Sequence, residues 1–152
     1  MRALSTLLIA LLAPPAGGRC DAAPRDPAPP ELLSRLQRIE SAFRQGDADA
    51  LRLSFAATGK LRVDLKDLTD GQESYGAGQL QVIFGQIFEE FRTGDFSFPR
   101  DEVSVSSPGT AFARGRWVRA SRRERVELTD TLTFTLRDDG SGWRILEIRS
   151  SR

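Results

Sequence analysis

Asp130 is the residue in this chain best placed by its neighbours to do chemistry. From Arg125 to Arg137 the sequence alternates, and Val126, Leu128, Leu132, Phe134 and Leu136 share one side. Asp130 falls on that same side, as a carboxylate in an apolar wall. Desolvation there favours the neutral acid, which is the condition for proton transfer near neutral pH. Two plainer outcomes fit the same residues. A bulge near Thr129 would turn the carboxylate outward, or nearby backbone donors would satisfy it. Tyr75, Phe84, Phe88, Trp117 and Phe134 are the aromatic residues that could line a small-ligand pocket with Asp130, and each equally suits core or rim packing.

Arginine supplies the second candidate. Arg114, Arg116, Arg119, Arg122, Arg123 and Arg125 crowd one short stretch, with Glu124 the only acid among them. Arg114, Arg116 and Arg119 could grip a phosphate, a carboxylate or an anionic surface. The simpler account is a solvated hairpin whose charges protect a sheet edge. Trp117 is the only aromatic residue interleaved with them, which argues against single-stranded nucleic acid as a partner. Arg62, Asp64 and Lys66, followed by Asp67 and Asp70, could serve acid/base or metal chemistry, but they also read as the wet side of one strand.

Other chemistries are excluded by residue type. The chain has no histidine and one cysteine, Cys20, so neither a zinc site of the usual Cys/His type nor an intramolecular disulfide can form. No motif calls for a cofactor. Basic and acidic residues nearly cancel over the 152 residues, at 22 against 21, so global charge points to no polyanionic partner.

The N-terminus has the three parts of an export signal: Arg2, the apolar run Ala3 to Ala13, and small residues after Pro14 and Pro15. A signal peptide over residues 1–18 is expected, with cleavage after Gly18 or after Ala22. The run is too short to span a bilayer as a helix, so no integral membrane segment is expected once it is removed. Arg19 stands where acylation of Cys20 would want a small residue, which disfavours a lipid anchor. Residues 19–30, rich in proline, read as an extended linker. One domain over 31–152 follows, exported to the periplasm or the medium of a bacterium.

The elements that must position these residues come in a definite order. Leu32, Leu36, Ile39 and Phe43 make one face of a first helix that begins near Glu31 and ends at Gly46. Asp47 caps a second helix, with Leu51 and Phe55 inward and Gly59 at its end. Lys60 to Leu68 alternates as a strand, and Asp70-Gly71 turns the chain. A third helix opens at Ser74 or Tyr75. Its stripe of Leu80, Ile83, Phe84, Ile87, Phe88 and Phe91 is the broadest in the chain, so it should lie against a sheet. Four strands then run over Glu102–Ser107, Thr110–Ala120, Arg125–Arg137 and Gly142–Ser150, joined by short turns and therefore antiparallel.

That order resembles the nuclear transport factor 2-like superfamily, the cystatin-like cone shared with ketosteroid isomerases and polyketide cyclases. The Gly46-Asp47 break, Ser74-Tyr75 before Gly78-Gln79-Leu80, and Trp143-Arg144-Ile145 at the last strand carry the resemblance over residues 31–149. It looks like exported bacterial members with no assigned function. It implies an α+β fold in which three N-terminal helices pack on a strongly curved, mostly antiparallel sheet, in the order ααβαββββ, around an apolar cavity. It also implies homodimerisation through the sheet face as an option. Enzymes of the superfamily commonly pair Asp with His, Tyr or Asp, and no such set maps onto this chain. The expected role is therefore non-catalytic, either binding a small apolar ligand or docking a protein. The alternative is a cofactor-free isomerase, cyclase or dehydratase using Asp130.

Overall fold

The computed structural model describes residues 27–151. The signal peptide, Cys20 and most of the linker lie outside the described residues.

Helix α1 runs over Pro30–Gln45, with proline in its first turn, where a missing N–H costs nothing. It buries Leu32, Leu36, Ile39, Ala42 and Phe43. Gly46 ends it in the left-handed region at φ 66°, its N–H and that of Asp47 closing onto the Phe43 and Ala42 carbonyls. Asp47 then caps α2 (Ala48–Arg52) by accepting the Ala50 N–H at 2.8 Å. This helix is a single turn and a half, shorter than the spacing of Leu51 and Phe55 suggests. After Arg52 the chain is drawn onto the sheet instead, where Phe55 bridges Ile145 in parallel.

Seven strands follow or interleave: β1 (Leu61–Asp64), β2 (Glu73–Tyr75), β3 (Phe91–Ser97), β4 (Val103–Ser107), β5 (Thr110–Ser121), β6 (Glu127–Asp138) and β7 (Trp143–Ser151). Helix α3 (Ala77–Glu90) sits between β2 and β3. The sheet order is β2-β1-β7-β6-β5-β3, with β4 also on β5, so the sheet is open at both ends. Among the named strands all pairings are antiparallel except β1 with β7.

The architecture is the expected α+β one, but the element order gains two strands. Ser74 and Tyr75 belong to β2, paired with Arg62 and Leu61, and α3 starts only after Gly76. Phe91 does not extend the α3 stripe. It turns extended at φ −119° and opens β3 with no loop between. The cause is β5, whose twelve residues offer β3 an edge from Arg116 to Ser121 and β4 an edge from Thr110 to Ala113. Tertiary pairing overrides a segment whose Gly94 and Asp95 give little strand propensity.

The concave side is filled by aromatic rings. Phe43 stacks on Phe96 at 4.2 Å and meets Phe84, Phe88, Trp117 and Phe134 edge-on at 5.4 to 6.2 Å. Phe98 closes the cluster against Phe96 and Phe134. Such edge-to-face pairs each add about 0.5–1.5 kcal/mol beyond area burial. Gly115 lies beneath this cluster. A β-carbon there would stand 2.9 Å from Phe96 Cζ and 3.0 Å from Phe98 Cε1.

Candidate functional site

The filled interior moves the candidate site outward. Phe84, Phe88, Trp117 and Phe134 do not line an opening: all four are buried and packed on other rings. Trp117 also donates its indole N–H to Thr93 Oγ1 at 3.0 Å, which fixes the ring against β3.

Asp130 does face inward, next to Leu132 and opposite Trp117 in the register of β5 and β6. It is not alone in an apolar wall. Its Oδ2 lies 2.6 Å from Nε of Arg119, which is the only buried charged residue among those described. The Arg119 guanidinium in turn lies 4.3 Å from the Phe91 ring centre and 5.3 Å from that of Trp117. The arrangement is an arginine clamped between two aromatic faces with a carboxylate at its end. Each part satisfies another, since a buried guanidinium needs both an anion and weakly hydrated neighbours.

The three arginines proposed for an anion do not converge. Alternation puts Arg114 and Arg116 on the outer face of β5 and Arg119 on the inner. Arg114 reaches Glu102 at 3.4 Å, and Arg116 points to solvent. Arg122 turns back to the α3 end, donating to the Phe88 carbonyl. The stretch is a sheet rim tied to its own chain.

Tyr75 lines one of several open surface clefts. A cleft of about 430 Å³ lies between the β1–β2 loop and the outer side of α3. Leu68, Tyr75, Ile83, Ile87 and Phe91 give it an apolar wall, and Asp70, Glu73 and Glu90 an acidic rim. None of the lining residues is basic. Partial desolvation, then the Glu73 carboxylate beside the hydroxyl and Asp70 nearby, push the Tyr75 phenol above its ordinary pKa and keep it a donor. Among the described residues, no three of His, Cys, Asp and Glu gather as metal ligands do.

Phe91 joins the two regions, since it lines the cleft and the Arg119 guanidinium lies over its ring. The sequence could not assign it this role while its spacing continued the helical stripe. Ile83 and Ile87 were hidden in the same stripe. The Asp70-Gly71 turn beside Tyr75 was the one local sign that a loop overhangs this side.

The cone, its open curved sheet and its covering helices define the nuclear transport factor 2-like fold, also described as cystatin-like. One solved structure that shares it is a protein of that type and of unknown function from Shewanella oneidensis. It is 20% identical, with a TM-score of 0.61, over 80% of this chain and 97% of the other. A ketosteroid isomerase-like protein from Erwinia carotovora atroseptica is 20% identical with a TM-score of 0.59, over 78% and 91%. A DUF4783 family protein from Bacteroides uniformis is 13% identical with a TM-score of 0.61, over 76% and 94%. The sequence itself matches no protein-family profile and no curated protein. Identities this low establish the fold alone.

Proposed function

We propose that the chain is an exported, non-catalytic binding module, and that its ligand is a small amphiphile with an apolar body and a positive charge. The observation that carries this reading is the contrast between a cone interior filled by aromatic rings and an open cleft beside Tyr75. The apolar wall would take the ligand body, as small-molecule sites generally do with hydrophobic and aromatic linings. The rim carboxylates favour a cation over an anion, and a cation can also sit on the Tyr75 or Phe91 ring. Export rests on Arg2 and the apolar run that follows it. The rival acid/base reading needs the Asp130 carboxylate free to take a proton from a substrate, and Arg119 Nε already engages that oxygen.

The test is a titration followed by backbone NMR, with benzyltrimethylammonium as probe and its neutral tert-butyl analogue as control. Saturable shifts at Tyr75, Ile83 and Phe91 are expected for the cation, with binding of the neutral analogue about tenfold weaker. Ile83→Gln should weaken both. Shifts that fail to saturate, or that ignore Ile83, would remove the cleft as a binding site.

A further inference from the structure

A different pair of arginines converges where the stretch from Arg114 to Arg125 does not. Arg35 on α1 donates from Nη1 to the Leu53 carbonyl at 3.2 Å, and Arg144 at the start of β7 donates from its Nη1 to the same oxygen at 2.6 Å. Arg35 Nη1 also reaches Ser54 Oγ at 3.5 Å. The backbone holds this convergence in place. Ile145 donates to the Ser54 carbonyl at 2.8 Å and accepts from the Ala56 N–H at 3.3 Å, so the segment after α2 is zipped to β7. Two like charges are thereby fixed side by side at one end of the fold.

Compensation is thin. Among the described residues Asp139 is the only acid whose carboxylate forms an ion pair with either group, and its Oδ2 stops 3.9 Å from Arg144 Nε, too far for a hydrogen bond. Its Oδ1 is spent on the turn, accepting from the Ser141 N–H and hydroxyl. Arg144 Nε is buried and has no acceptor among the described residues, an uncommon state for a buried donor. Arg38, one turn along α1, adds a third positive charge and forms no ion pair among the described residues. Burial, Arg144 and Arg38 together push the Arg35 pKa down, with Asp139 alone acting against them.

We infer that Arg35 and Arg144, with Arg38 beside them, form an oxyanion-binding site on the outside of the cone between α1 and β7. Each guanidinium holds the Leu53 carbonyl through Nη1, and no bond to Nη2 is formed among the described residues, so two forks meet at one oxygen. A planar fork matches two oxygens of a phosphate or carboxylate, and a bound anion would offset the repulsion that Asp139 offsets only in part. The site is independent of the cleft beside Tyr75, on other elements and with the opposite charge preference.

Thermal melting of the full chain in sodium phosphate against sodium chloride, at matched ionic strength, tests this. Phosphate at several times its Kd should raise Tm by about 3 °C over chloride. The Arg35 and Arg144 Nε–H resonances should move and saturate together in the same titration. Arg35→Lys keeps a charge and a donor for Leu53 but loses the fork, and should weaken phosphate about tenfold; Arg38→Gln, which forms no bond here, should weaken it about threefold. Acetate matching phosphate would keep the site and assign it to carboxylates. Equal melting in phosphate and chloride, or a phosphate shift unchanged in Arg35→Lys with still Nε–H resonances, would overturn it.

Discussion

Removing the Asp130 carboxylate should be costly for the fold, and the size of the effect follows from its surroundings. Arg119 has a side chain only 3% exposed and loses its carboxylate partner in Asp130→Ala, while Phe91 and Trp117 still cover its faces. Breaking a buried pair from one side typically costs about 3–5 kcal/mol. Asp130 itself is 16% exposed, so water can enter behind it, which places the cost near the lower end, about 3 kcal/mol. For a chain of this length that is a fall in Tm of about 6–12 °C. Arg119→Met alone should cost less, about 1–2 kcal/mol, because the carboxylate it strands is nearer water. The double variant Arg119→Met/Asp130→Leu should recover to within about 1 kcal/mol of the parent, since apolar replacements of a buried pair are often neutral. Urea unfolding of the parent, Asp130→Leu, Arg119→Met and the double variant, followed by tryptophan fluorescence, supplies the four corners of the cycle. A coupling energy below about 0.5 kcal/mol, or an Asp130→Ala protein as stable as the parent, would refute the clamp and return Asp130 to the list of proton-transfer candidates.

Other consequences are as direct. Gly115→Ala should destabilise by about 1–3 kcal/mol, because its β-carbon enters the space of the Phe96 and Phe98 rings, and Phe98→Leu in the same chain should recover part of that loss; an unchanged urea midpoint would show that the rings yield freely. The Tyr75 phenol, titrated by its absorbance near 295 nm, should ionise above the ordinary tyrosine value of about 10, and Glu73→Gln should bring the midpoint down. Because the folded chain holds that proton longer than the unfolded one, the contribution is present below pH ~10 and is lost as pH rises through the folded pKa. A midpoint unmoved by Glu73→Gln would break the assignment.

Much of the scaffold is legible in the residues. The strands β4 to β7 fall within two residues of their alternation patterns, and Gly46-Asp47 both ends one helix and caps the next. What failed was physical in origin. Phe91 kept a helical offset while a distant strand edge set its conformation, and β2 is too short for alternation to register. The inward turn of Asp130 was readable from parity alone. Its partner was nearly so: Arg119 shares parity with Ala113 and Trp117, and the turn after Ser121 brings it diagonal to Asp130. Treating the arginines as one patch concealed that they point to opposite sides. Nothing local foretold the meeting of Arg35 and Arg144, which are 109 positions apart and joined through a carbonyl on a third segment.

The parallel pairing of β1 with β7 also dictates an order of assembly. A nascent polypeptide exposes β6 and β1 with no neighbour between them until Trp143 to Ser151 has been synthesised, so the β1–β2 hairpin waits on a late arrival. Such long-range closure slows folding and leaves bare strand edges open to association meanwhile. A chain stopped before Trp143 would strand the β1–β2 hairpin, and with it the loop that overhangs Tyr75, from the rest of the molecule.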